Sequence, residues 1–146
     1  MDIPQELIDD VVSNDVQLGD VYKIEMSVED GMMLKNGYDT RNKIFVVLGF
    51  DEQGNVYGGI VFNSKINQNL PTSIKDYHMP ISAKVYPFLS HDSFLNCTKI
   101  FPATSTHLMK GEKLGTINTA DFELIRCTVC SYPNAVPREL KRFGLI

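Results

Sequence analysis

The sequence predicts a mostly β protein, an antiparallel barrel or rolled sheet with helices at its ends, on three observations. Residues 43–50 (Lys-Ile-Phe-Val-Val-Leu-Gly-Phe) and 56–63 (Val-Tyr-Gly-Gly-Ile-Val-Phe-Asn) form two apolar, β-branched runs joined by a short polar turn. About five strand-like segments follow one another between Gly-, Pro- and Asn-containing breaks. One well-capped amphipathic helix comes late, near residue 119.

In chain order, residues 3–12 place Leu7, Ile8, Val11 and Val12 at helical spacing behind Pro4, which predicts a short amphipathic helix. Residues 21–26 (Val-Tyr-Lys-Ile-Glu-Met) alternate and predict a half-buried strand. Residues 27–42 show no sustained period and predict a long loop, with Met32, Met33 and Leu34 folding back onto the protein. The run at 43–50 is too apolar to alternate and too short for a convincing helix, so a strand buried on both faces is expected. Gly54 supplies the turn, and Gly58-Gly59 predicts a bulge or a close approach of another backbone. Residues 65–73 are expected as loop, and 77–82 as a strand that Pro80 confines to an edge. Residues 93–103 read as one long strand stopped by Pro102, and 106–110 as a single helical turn. Asn118 or Thr119 caps the confident helix, Phe122, Ile125 and Val129 share its buried face, and Pro133 ends it. Residues 137–143 predict a last short basic helix with Leu140 and Phe143 inward.

At 146 residues, with 43% hydrophobic and 22% charged side chains, the chain is large enough for one domain with a real core. No apolar run reaches membrane-helix length, the opening residues lack the basic and apolar regions of a signal peptide, and three cysteines do not make a disulfide framework. A cytoplasmic protein without membrane association is expected. The net charge of −4 is unevenly spread: residues 1–30 carry nine acidic side chains against one basic, whereas residues 41–113 carry eight basic against five acidic. The ordinary reading is a solvated acidic lead-in; the sharper one is an acidic head that screens a basic face.

The order of motifs resembles the MazF/PemK (Kid) family of toxin endoribonucleases, which have a small SH3-like barrel. The residues that carry the likeness are 19–26 (Gly-Asp-Val-Tyr-Lys-Ile-Glu-Met), 43–49 (Lys-Ile-Phe-Val-Val-Leu-Gly), 60–65 (Ile-Val-Phe-Asn-Ser-Lys), 92–102 (Asp-Ser-Phe-Leu-Asn-Cys-Thr-Lys-Ile-Phe-Pro) and the Lys-Leu-Gly run that begins at Lys113. The likeness covers roughly residues 18–131. It divides the chain into an acidic helical extension (1–17), a barrel domain (18–131) and a short basic C-terminal extension (132–146). It implies a homodimer that binds single-stranded RNA and is neutralised by an antitoxin peptide, with no cofactor and no metal. The departures fall where the chemistry would be. The family's basic residue aligns with Lys43, its Thr at the strand exit is Asn63, its Asp is Asn96, its Gln is Cys97 and its following Arg is Lys99.

Metal-independent RNA cleavage needs a base for the ribose 2′-hydroxyl, an acid for the leaving oxygen and a cation for the charged phosphorane. Lys43, Asn63, His91 and Lys99 are the catalytic candidates, and Arg41, Ser64, Lys65 and Asn96 the RNA-binding ones. Asn96 is not a base, since an amide does not titrate; His91 is the candidate that titrates near neutrality. Against each stands an ordinary reading: an exposed turn histidine, solvated strand-edge lysines, and plain turn chemistry at Asn63-Ser64. Tyr22, Tyr38, Tyr57 and Tyr77 are core residues or base-stacking platforms. Cys127 and Cys130 form a Cys-x-x-Cys that, with Cys97, falls one ligand short of the usual structural zinc set. A catalytically inactive barrel that binds nucleic acid or protein is the alternative.

Overall fold

The computed structural model describes residues 16–32 and 40–146. The helix expected at 3–12, the Met33-Leu34 part of the fold-back, and Tyr38 lie outside the described residues.

Among the described residues seven strands form one antiparallel sheet: β1 (Asp20–Ser27), β2 (Thr40–Phe50), β3 (Val56–Asn63), β4 (His78–Ile81), β5 (Ser93–Asn96), β6 (Phe101–Thr104) and β7 (Glu112–Thr116). The helices are α1 (Thr72–Lys75), α2 (Ser105–Lys110), α3 (Thr119–Ser131) and α4 (Pro137–Arg142), and a 3-10 turn at Val28–Asp30 follows β1. The sheet order is β4-β5-β3-β2-β1-β7, and β6 also pairs with β3. Strand β3 divides its outer edge, giving residues 56–59 to β6 and Phe62 and Asn63 to β5.

The predicted barrel is not closed: among the described residues β4 and β7, at the two ends of the sheet, do not pair with each other. Strand β4 has four residues including Pro80, which has no amide hydrogen for a second ladder, and α3 with the C-terminal segment supplies the cover instead.

Strands β2 and β3 are buried on both faces, as their composition predicts. Val46, Leu48, Ile60 and Phe62 point into one core with Val21, Leu95, Ile125, Val129, Leu140 and Leu145. Phe45, Val47, Tyr57 and Val61 point into a second core with Tyr22, Ile24, Met26, Phe101 and Leu108. Each fully buried side chain of this size contributes roughly 1.5–3 kcal/mol through removal from water, which makes this hairpin the axis of the fold. Gly54 takes the positive φ of the turn. The expected close approach at the glycine pair is real: a Cβ on Gly59 would stand 2.3 Å from the Val46 carbonyl oxygen, and one on Gly58 would stand 2.5 Å from the Phe143 ring.

Two expectations are corrected. Residues 93–103 are not one strand but two, β5 and β6. Asn96 Oδ1 accepts the Thr98 amide at 3.0 Å and closes a side-chain turn between them, and Pro102 sits inside β6 because that strand pairs on one side only. The loop expected at 65–73 runs into α1 at Thr72, and Glu112–Thr116, to which the sequence reading gives no element, form β7. Other starts and stops follow their residues: the Asn118 side chain accepts the Asp121 amide at the N-cap of α3, and Thr104 caps α2.

Candidate functional site

The β2–β3 register pairs Phe45 with Val61, so two residues further along Lys43 stands opposite Asn63 on the same face. Lys43 Nζ donates to Asn63 Oδ1 at 2.6 Å. On its other side Lys43 pairs with Ile24, and Met26 is buried one step on. The alternation that sends Phe45 and Val47 into the second core sends Lys43 the same way, leaving it 6% exposed. Burial, with the nearby Arg41 charge adding to it, pulls the Lys43 ammonium down to about 8. At neutral pH this side chain is a cation that gives up its proton readily, so one group offers both charge and proton transfer.

Strand β2 begins, β3 ends and β5 begins at the same end of the sheet. That end therefore gathers Arg41, Lys43, Asn63, Ser64, Lys65 and His91. Arg41, Ser64 and Lys65 are exposed there. His91 is exposed three residues before Phe94, the β5 partner of Asn63; its Nδ1 lies 3.0 Å from the Asp92 carbonyl oxygen and 3.2 Å from Ser93 Oγ. Of the catalytic candidates, the Lys43–Asn63 pair alone is joined by a direct bond. Lys99 donates to the Gly31 carbonyl at 2.6 Å and lies 4.8 Å from the Phe101 ring centre, and Asn96 is engaged by Thr98. Both hold loops in place and neither bonds to the pair.

The structure adds a cleft of about 250 Å³ lined by Glu25, Ser27, Asp30, Thr40, His107 and Lys110. It opens at the same end of the sheet, since Ser27 pairs with Thr40. His107 Nε2 lies 2.6 Å from the Glu25 carbonyl oxygen, its Nδ1 lies 3.8 Å from Asp30, and Thr40 donates to the Glu25 carboxylate. No motif spacing signals this group, because α2 reaches it only through the β6–α2–β7 connection.

Other candidates resolve into structure. Tyr22 and Tyr57 are buried in the second core, and Tyr77 packs edge-on against Tyr132. Cys97 is buried and its thiol is pushed up to about 12 by burial, whereas Cys127 is exposed. Among the described residues no group of three or more His, Cys, Asp or Glu side chains is placed to hold a metal ion, and no helix is long and apolar enough to cross a membrane. Neither models of known protein families nor curated proteins give a match to this chain.

Proposed function

We propose that the protein is a MazF/PemK-like, toxin-type endoribonuclease that cleaves single-stranded RNA without a metal at the end of the sheet occupied by Lys43, Asn63 and His91. The observation that carries the reading is the Lys43–Asn63 bond: a buried lysine with a pKa near 8, held by an amide, where two central strands end. In this reading His91 takes the proton of a ribose 2′-hydroxyl, the 2′-oxygen attacks the adjacent phosphorus, and Lys43 protonates the leaving 5′-oxygen. The products are a 2′,3′-cyclic phosphate and a 5′-hydroxyl. Asn63 orients the ammonium through Oδ1 and offers its amide hydrogens to a phosphate oxygen, while Arg41, Ser64 and Lys65 contact the flanking backbone. The antiparallel three-strand start of the sheet and the late capped helix support the SH3-like family reading, and a homodimer, an antitoxin peptide and a cytoplasmic setting follow from it.

The full chain, incubated with long mixed-sequence RNA in a chelator, is expected to release fragments with cyclic-phosphate ends. Lys43→Ala is expected to lower the rate at least about a hundredfold, as loss of a general acid does. Intact RNA after prolonged incubation with folded wild-type protein rules the nuclease reading out.

A second reading, a rolled sheet that binds RNA without cutting it, is favoured by one observation: the side chains of His91 and Lys99 bond elsewhere and not to the Lys43–Asn63 pair. Retention of uncut RNA by wild type, lost in Lys43→Ala, selects it.

A further inference from the structure

We propose that the cleft between the β2–β3 turn and α4 is a second contact for the RNA backbone, made by Arg138, Lys141 and Arg142. The inference rests on the RNA-directed reading above and assigns a new surface to it.

The cleft is open, about 500 Å³, and has Asp51 and Glu52 on one wall and Arg138, Lys141 and Arg142 on the other. All three cations are exposed, and none has a carboxylate within 4.0 Å among the described residues. Helix α4 divides its charges by face. Its one carboxylate, Glu139, lines a different cleft beside residues 97–100, so it does not neutralise the three cations. On the opposing wall, Asp51 Oδ1 is occupied by the Asn55 and Val56 amides that shape the turn. The surplus in the cleft is positive.

The helix that carries these cations is a docked element. The Phe143 ring sits where a Cβ on Gly58 would be, and its carbonyl oxygen lies 2.0 Å from a Cβ built on Gly49. Leu140, Phe143 and Leu145 are buried. Spacings of three and four residues put Arg138, Lys141 and Arg142 on one side of a fixed helix. Three exposed cations on one side of a rigid support, without a carboxylate in ion-pair range among the described residues, suit a chain of phosphates, whose binding draws on counterion release and does not depend on sequence.

This surface is distinct from the Lys43 end. Lys43 and Asp51 lie eight residues apart along the hairpin, about 26 Å at the rise of a β-strand. A tetranucleotide is too short to reach both ends, and a twenty-nucleotide strand is long enough. The cluster therefore adds affinity for long RNA only.

The test uses the full chain and Arg138→Gln/Lys141→Gln/Arg142→Gln, with single-stranded twenty-nucleotide and tetranucleotide RNA at several salt concentrations. Because Arg142 also lies over the Phe143 ring, the single variant Lys141→Glu serves as a check in which that packing is intact. The triple variant is expected to bind the long RNA about tenfold more weakly, with the slope of log affinity against log salt reduced by about 2, and to bind the tetranucleotide as wild type does. Lys141→Glu is expected to move the long-RNA affinity in the same direction. Unchanged long-RNA binding in both variants overturns this proposal and leaves the RNA reading standing. Wild-type protein that binds neither RNA, with Lys43→Ala equally inert, removes the RNA reading and this proposal together. Displacement of the long RNA by polyglutamate at equal charge concentration makes the cleft a dock for acidic peptides and overturns the assignment to RNA.

Discussion

An ammonium group packed beside Ile24, with one amide oxygen as partner, weighs against folding at any pH where it is charged. The folded pKa of Lys43, about 8, lies below its ordinary 10.5. The native state therefore releases this proton first, and between those values the unfolded chain holds more protons, so stability rises with pH across the window. At about 1.4 kcal/mol per unit, reduced for solvent screening and for the bond to Asn63, the rise is about 2 kcal/mol. Cys97 and Tyr86 act in the opposite sense. Burial, and for Tyr86 also its bond to Asp121, raises each to about 12, so their contributions are whole below pH 9 and 10 and fade above. Comparing wild type with Lys43→Met by urea unfolding between pH 8 and 9 isolates Lys43, because Cys97 and Cys130, whose thiols burial raises and whose opposing contributions begin to fade there, are common to both proteins. Lys43→Met is expected to be more stable than wild type at pH 7 by about 1–2 kcal/mol and to lose the rise; an equal slope in both proteins refutes the assignment. The two residues are legible in the sequence as the start of one strand and the exit of the next, but their pairing is not: the register set at the turn slips by one residue between Val47 and Gly49, and that slip puts Lys43 opposite Asn63. The placements of His91, Asn96 and Lys99 are not legible either, since turns fix a residue's direction through local bonds that composition does not reveal. His107 meets Glu25 across 82 residues of chain, a contact made by topology alone.

At the scale of elements, the hairpin and α4 are fitted to each other through two absent side chains. A methyl on Gly58 would collide with the Phe143 ring and one on Gly49 with the Phe143 backbone. Gly58→Ala is expected to cost about 2–3 kcal/mol by overpacking, and Phe143→Ala about 3–5 kcal/mol by leaving a cavity. The double variant should cost less than the sum, because the added methyl then occupies space the ring has vacated. Chemical denaturation of the four proteins measures this, and strict additivity would show that the two residues do not share the space. The glycine pair is legible as a close approach; that Phe143 is what approaches is not, because no local period links residues 58 and 143. The same limit explains the split of 93–103. Alternation reads straight through residues 97–100, while the turn there depends on Asn96 bonding to Thr98, a choice of side-chain direction. Strand β7 is hidden because Gly111 and Gly115 mimic loop composition. Gly111 is needed there, since a Cβ would stand 2.3 Å from the Lys23 carbonyl oxygen of the strand that β7 pairs with.

For the whole molecule, the consequence is that stability depends on the end of the chain. Residues 132–146 read as a small basic extension by charge, yet Leu140 and Leu145 are members of the first core and Phe143 lies over the hairpin glycines. The tail is also tied by polar bonds: Arg126 Nη2 donates to the Leu145 carbonyl at 3.1 Å, and Cys130 Sγ donates to the same oxygen at 3.6 Å. A chain stopped after Ser131 loses four buried side chains, Tyr132, Leu140, Phe143 and Leu145, and exposes what they cover. At roughly 2–5 kcal/mol for each large apolar group, the loss equals or exceeds the 5–15 kcal/mol by which a typical domain is stable. The truncated chain is therefore expected to keep much of its far-ultraviolet dichroism but lose the near-ultraviolet tyrosine signal and cooperative urea unfolding. A truncated protein that unfolds in one sharp transition at the wild-type midpoint would show that residues 1–131 carry a complete core. Separating the charge of the tail from its packing takes one further variant: Lys141→Gln in the full chain keeps the buried residues and should leave the midpoint within about 0.5 kcal/mol of wild type, as an exposed substitution does.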